Sequence, residues 1–451
     1  MASPPASRPA RGRTAYALVF LALFVPFSYF NHSDGWNQGV RLAELHAIVL
    51  KHTIQIDAYH QLTGDKAYIE GHYYSEKAPA MVLAALPAFA ATVWIQQMLG
   101  IDPDAQPAWR VSEWIATAAS VGLLAALGGL AFFAMLIERF DPLTAVIGTF
   151  GLFLGSLTLP YATSLFAHAG TIGLLGIALW AALSEPSPKR DYVAGLAAGF
   201  AVASEYPGVF PCAIIGLYLG YQGLPRMWRF GLGTIPAALL ILTNNYMTTG
   251  SPLSVSYGAN ANFPEISTSN AMGFNLPNLE VMLALFIGQY RGLFFWCPLM
   301  ILSIAGLVEL VRKERAIAIM VIAVTVIILI QVASFYMAFG GNAVGPRYLS
   351  PALPFIGLAA AYGIKRWPEP GLVLLVVSMV VMLGVTAIAI DPPADVLTPL
   401  ESFYLVRLRE HRFADNLGTL IGVPAWPSLV VPLLFPAAAA WHWLKGRRVS
   451  G

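Results

Sequence analysis

A succession of apolar runs, each near the ~20 residues that a helix needs to cross a bilayer, decides what this chain can fold into. The runs fall at 14–30, 78–98, 111–137, 143–160, 166–183, 192–207, 208–222, 230–247, 291–311, 316–338, 349–364, 371–390 and 428–444. With 57% hydrophobic and 11% charged residues in 451, little sequence is left for a soluble domain. One integral membrane domain over 1–451 is therefore predicted, with no internal repeat. Glycine and proline are scattered through the runs, as helices packed on one another in lipid allow. A net charge of +2 without a basic cluster sets nucleic acid aside as a partner. Cys212 and Cys297 lie in or beside apolar segments and read as small core residues, not as a disulfide or metal pair.

Charge sets the orientation. Arg8, Arg11 and Arg13 precede the first run and no small-residue cleavage site follows it, so it reads as an uncleaved span with a cytoplasmic N-terminus. Basic residues then recur in short connections at Glu138-Arg139, Pro188-Lys189-Arg190, Arg226 to Arg229, Arg312 to Arg315, Lys365-Arg366 and Lys445 to Arg448. These all face the cytoplasm only if 78–98 lies in or dips into the outer leaflet instead of crossing. The result is an all-α polytopic membrane protein with about twelve transmembrane helices and both termini cytoplasmic. Its first outer loop, 31–110, carries membrane-lying helices, and Pro207-Gly208 makes the turn between 192–207 and 208–222. The same parity puts 160–168, 248–290, 339–348 and 391–427 outside, so polar chemistry is pooled on one face.

The densest polar stretch is Asn31 to Lys77. Ser33 or Asp34 suits the N-cap of an amphipathic surface helix on which Asp34, Gln38, Arg41 and Leu45 share a face. Asp34 is either that cap or a base poised for an incoming hydroxyl or amine. Asp57 stands between apolar residues, whereas Asp65 in Thr63-Gly64-Asp65-Lys66 has the setting of a turn residue. Lys77 ends Gly71-His72-Tyr73-Tyr74-Ser75-Glu76-Lys77 at the polar–apolar boundary. A cation there either snorkels or meets the phosphate of a lipid carrier. Glu205 sits near the end of a span, and an acid at mid-bilayer costs about 2.5–3.5 kcal/mol, so a partner such as Arg291 or Arg347 is expected. Both arginines offer forked donation to phosphate or act as interfacial anchors. His168 follows Phe166-Ala167 at the start of a run and fits a core histidine.

Tyr74-Ser75-Glu76-Lys77-Ala78-Pro79, downstream of an acid and Arg41, resembles the Tyr-x-Glu-Lys-Pro-Pro signature of C-type (GT-C) glycosyltransferases. In pattern it is most similar to bacterial aminoarabinose transferases and protein mannosyltransferases. Gly345-Pro346-Arg347-Tyr348-Leu349-Ser350-Pro351 and Tyr290-Arg291-Gly292-Leu293-Phe294 resemble segments of bacterial membrane proteins in the same group. The likeness holds in order and spacing over about the first hundred residues and more loosely beyond. It implies an inverting enzyme of the bacterial inner membrane. Such an enzyme moves a sugar from a polyprenyl-phosphate carrier to an envelope lipid, glycan or protein on the periplasmic side. Glu76 and Lys77 match the family, with Lys77 on the carrier phosphate beside Arg347 and Arg291. The family acid two or three residues before the arginine is absent, because Gln38 and Gly39 stand there. Its role as base passes to Asp34, with Asp57 second. Arg41, Asp65, His72, Tyr74, Glu76, His168 and Glu205 are the supporting residues. His168 stands in for a second-loop acid that relatives often carry, and the residues support no divalent metal or other cofactor. Two other readings remain. A transporter or flippase would bury ionisable groups in several spans and show repeated halves. An inactive accessory subunit of the same fold would explain Gln38 and Gly39.

Overall fold

The computed structural model describes residues 13–33, 35–268 and 271–445. Its helices follow the apolar runs in order: α1 Arg13–Tyr29, α2 Trp36–Lys51, α3 Ala80–Met98, α4 Gln106–Arg139, α5 Pro142–Phe153, α6 Ala167–Leu183, α7 Pro188–Ser204, α8 Val209–Gln222 and α9 Leu224–Thr249. After a short helix α10, Leu279–Ile287, come α11 Leu302–Lys313, α12 Arg315–Ser334, α13 Leu353–Arg366, α14 Pro368–Ile388 and α15 Val431–Lys445. Among the described residues, five segments are apolar and long enough to cross a membrane: α3, α4, α12, α14 and Ala425–Lys445. By length and composition α3, expected to lie along the membrane, is thus as able to cross as the others. The run 291–311 is broken, because Cys297 (φ −128°, ψ 69°) and Pro298 interrupt it before α11 begins. The turn expected at Pro207-Gly208 is present as a 3-10 turn over Tyr206–Gly208.

Close helix packing comes from glycine. A Cβ on Gly128 of α4 would lie 2.2 Å from the Gly173 Cα on α6, and one on Gly306 of α11 would lie 1.7 Å from the Ala359 carbonyl oxygen on α13. Backbones in such contact gain dispersion that lipid does not supply, which is how small residues hold membrane helices together. At one end of the bundle the basic connections meet acids from neighbouring loops. Arg139 binds Glu314 at 2.8 Å and Arg226 and Arg229 share Asp191, at 2.9 and 2.8 Å. Lys365 binds Asp141 at 3.0 Å and Arg366 binds Glu309 at 2.6 Å. The connections whose charge suggested a common face are therefore in contact with one another's elements.

The first loop departs from expectation in two ways. It contains a β-hairpin, β1 Lys66–Ile69 and β2 His72–Ser75, paired antiparallel with Lys66 opposite Ser75. Glu70 and Gly71 turn the chain at φ 49° and 90°, and positive φ at both central positions matches the right-handed twist of the strands. Second, α2 starts at Trp36 with Gly35 as its N-cap and no side-chain cap, so Ser33 does not cap it; Asp34 lies outside the described residues. Gly35 holds φ 141°, a backbone that side chains rarely adopt. Nor does α2 lie on a surface: Gln38, Arg41, Glu44 and His46 are buried beneath the hairpin, α3 and the 102–109 segment. His46 anchors that last contact, stacked on Trp109 at 3.5 Å with Nδ1 3.1 Å from Asp104. Gly173→Val is expected to cost about 1–3 kcal/mol by overpacking and to lower the melting temperature in detergent by several degrees. Gly384→Ala, where a Cβ meets open space, should leave the same fluorimetric melt unchanged.

Candidate active site

Where α2, the hairpin and the segments around Phe166, Phe263, Gly340 and Asp391 converge, they leave a cleft of about 340 Å³. Trp36, Phe166 and Phe263 give it aromatic walls, and Gln38, Asp65, Asn342, Arg347 and Asp391 give it polar ones. Arg347 is its buried cation. The guanidinium packs 5.4 Å from the Phe166 ring centre and 5.1 Å from that of Tyr348, and its Nη2 donates to the Tyr348 hydroxyl at 3.4 Å. Its Nε has no hydrogen-bond partner among the described residues, although the residue is only 8% exposed. Gly340 (φ 80°) makes the room, since a Cβ there would lie 2.7 Å from that Nε. A desolvated guanidinium with donation to spare is suited to an anion.

The hairpin delivers the second cation. β2 leads straight into Glu76 and Lys77, and the turn before β1 carries Asp65. Lys77 Nζ lies 3.0 Å from Asp65 Oδ2 and 2.5 Å from Glu76 Oε1. Burial alone would lower the Lys77 pKa, but Asp65 and Glu76 together outweigh it and raise it, so the ammonium stays charged. The remaining Glu76 oxygen accepts from the Asn260 amide, whose own oxygen accepts from the Asn262 and Phe263 N–H groups at 2.8 and 2.7 Å. That loop is tied to the hairpin again by Ala261 N to Lys66 O at 2.9 Å and by Ser256 Oγ to Ser75 O at 3.0 Å. Asn260 was not legible as a site residue: it stands in a loop 184 positions away with no motif around it.

Arg41, one helical turn beyond Asn37, is buried at 3% exposure. It donates through Nη1 to the Asn37 carbonyl at 2.8 Å and side-chain oxygen at 2.5 Å, while its Nε has no partner among the described residues. Glu205, Asp65, Glu44 and Glu76 all act on its charge, Glu205 most strongly. The partner of Glu205 is His168, through Nδ1, and not Arg291 or Arg347 as the sequence suggested. The physical reason is distance along the fold: the break after α7 points Glu205 at the first turn of α6, where His168 sits. Arg291 lies fully buried behind the cleft wall, reaching the Gly341 and Pro392 carbonyl oxygens, each at 3.3 Å, and stacking 4.2 Å from the Tyr290 ring.

Other expected residues stand apart from the cleft lining. Asp57 is 43% exposed; it accepts from the Tyr73 N–H at 2.7 Å and pairs with His72 Nδ1 at 2.7 Å, which makes it a brace for the hairpin. Tyr74 accepts from Gln55 at 3.3 Å. Asp65, which reads as a plain turn residue, lies in the cleft instead, because the hairpin folds its turn back over Trp36. Among the described residues, no group of three or more His, Cys, Asp and Glu side chains is gathered to hold a metal.

Burial raises the Glu44 pKa from 4.5 to about 7, against the opposing pull of Ser75 and Arg41. Between those values the folded protein keeps a proton that the unfolded chain releases, so stability falls as pH rises through that window and levels off above it. Glu44→Gln is expected to match wild type near pH 4.5 and to exceed it by on the order of 3 kcal/mol at pH 8. Melting curves at both pH values check this, and parallel pH dependence in the two proteins would place the slope elsewhere.

No protein-family model matches the sequence, and no curated protein is significantly similar to it. Among solved structures, ArnT from Cupriavidus metallidurans bound to undecaprenyl phosphate aligns over 97% of this chain and 77% of its own, with TM-score 0.52 and 17% identity. The apo form of that protein aligns at TM-score 0.49 and 16% identity, covering 96% and 76% of the two chains. An oligosaccharyltransferase from Archaeoglobus fulgidus aligns at 0.40 and 12%, covering 95% and 55%. Neither of these two carries weight beside the first. ArnT belongs to the GT-C superfamily. At such low identity the likeness speaks for architecture alone, and the architecture of this chain is the GT-C fold.

Proposed function

We propose that the chain is a membrane glycosyltransferase that transfers a sugar from a polyprenyl-phosphate carrier to an envelope acceptor at the periplasmic face of the inner membrane. The observation that carries this reading is the cleft itself. A buried arginine with a donor unpaired among the described residues lines it together with Asp65, and Asp65 and Glu76 hold a lysine charged beside it, in a fold shared with a solved ArnT bound to undecaprenyl phosphate. Arg347 and Lys77 take the carrier phosphate, and Arg291 adds positive charge from behind the wall. Negative charge builds on that phosphate as the glycosidic bond breaks, so cations preorganised in a dry site favour the transition state.

Chemistry follows as one displacement with inversion. The acceptor hydroxyl oxygen bonds to the anomeric carbon, the bond from that carbon to the carrier oxygen breaks, and the carrier phosphate leaves with the electron pair. The acceptor's proton goes to a carboxylate. Asp65 is an acid of the cleft lining placed for this, and its pairing with Lys77 gives it a timing. A carrier phosphate beside Lys77 shares the ammonium's charge with Asp65, whose carboxylate is then the better proton acceptor. Asp34, the chain neighbour of the cleft residue Gly35, is the second acid to test.

Arg347→Ala and Lys77→Ala should each weaken undecaprenyl phosphate binding to the purified protein by at least about tenfold, the loss expected for a charged hydrogen bond. Asp65→Asn should bind within a fewfold of wild type yet lower transfer by about 10²–10⁴. Transfer is read as the envelope lipid or glycan that disappears on gene deletion, identified by mass spectrometry. Full restoration of that product by a doubly substituted Asp34→Asn, Asp65→Asn chain would remove both bases and favour the accessory-subunit reading.

A further inference from the structure

Behind the wall formed by Phe166 and Arg347, two ionisable side chains remain that the proposed chemistry does not use. Glu205 ends α7 in an extended conformation (φ −148°, ψ 119°) and turns its carboxylate toward His168, in the first turn of α6. His168 is 3% exposed, and its Nε2 and the Glu205 Oε2 have no hydrogen-bond partner among the described residues. Leaving buried polar atoms unmade costs about 1–3 kcal/mol each, more than a packing role needs.

The surroundings connect this pair to Arg347 in the cleft lining and to Arg41 on α2. The imidazole lies against Phe166 at 5.6 Å and edge-on to Tyr348 at 6.1 Å, the two rings that also carry the Arg347 guanidinium. Glu205 is the strongest of the acids acting on Arg41. We propose that His168 and Glu205 are positioning residues that set how much positive charge Arg41 and Arg347 present to an anion in the cleft. With neutral imidazole the pair carries one negative charge, which is spent on Arg41. With imidazolium the pair is neutral and the arginines are left uncompensated, so a phosphate binds more tightly. The groups facing His168 are Glu205, Arg347, Arg41 and the phenols of Tyr161 and Tyr348. Those facing Arg41 are Glu205, Asp65, Glu44 and Glu76. Of these, Glu44 titrates near neutrality and has to be separated from His168.

This inference rests on reading the cleft as a phosphate site, and the test keeps the two apart. The probe is undecaprenyl phosphate in detergent micelles, with dissociation constants measured at pH 5.5 and 8.5. The proteins are wild type, His168→Gln, Glu205→Gln and Arg347→Ala, and the two pair variants again in a Glu44→Gln background. The phosphate's own second ionisation, near pH 6, is common to all and cancels between proteins. The weakening from pH 5.5 to 8.5 should be about tenfold larger in wild type than in His168→Gln, the effect of one nearby charge at an effective dielectric near 20. The difference should persist in the Glu44→Gln background, and Glu205→Gln should bind more tightly than wild type at pH 8.5. Equal pH dependence in wild type and His168→Gln overturns the inference. So does a uniform loss of binding at both pH values with a lowered melting temperature, since that is what a packing role gives. Wild-type binding that is undetectable, or unchanged by Arg347→Ala, overturns the phosphate reading itself.

Discussion

The polar end of this protein depends on one buried arginine. Arg41 is drawn from water on a helix that is itself buried, and Glu205, Asp65, Glu44 and Glu76 are arranged around it. An isolated charge at such a position is prohibitive, whereas one shared among carboxylates from α2, the hairpin and the end of α7 becomes a tie between those elements. The cluster holds more acid than Arg41 and Lys77 can neutralise. Burial, against the pull of Ser75 and Arg41, is why Glu44 keeps a proton well above the ordinary carboxylate range.

Rigidity beneath and adaptability above divide the labour. The helices touch backbone to backbone at Gly128–Gly173 and Gly306–Ala359 and leave little freedom in the floor. The chemistry sits on a hairpin, a helix start and three loops, each held by a few polar contacts. Aromatic side chains join the two parts: Phe166 leads into α6 and forms both a cleft wall and a support for Arg347.

Much of this was legible from residue patterns. The apolar runs specify the order of the helices, and the Glu76-Lys77 pair was legible because charge at an apolar boundary is costly and short motifs preserve it. Pooling of basic connections foretold the contacts that Arg139, Arg226 and Lys365 make at one end. What escaped was pairing across sequence distance. Asp65 read as a turn because its partner, Lys77, is brought close only by the hairpin register. Nothing local announces that Asp57 braces the hairpin through Tyr73 and His72, away from the cleft lining. Asn260 carries no local signal at all. The helix cap was misplaced for a different reason: Gly35 does through backbone freedom what Ser33 was expected to do through its side chain.

The amide of Asn260 has one more consequence. It satisfies the second oxygen of Glu76 without supplying any charge, so Lys77 is the ion-pair partner of that buried carboxylate. Were Lys77 to swing outward toward an incoming molecule, it would leave a bare anion in a dry place. The ammonium is therefore a fixed mooring post and not a reaching arm. Whatever binds must bring its anionic group to that depth, which makes the height of the post above the bilayer a ruler for the headgroup.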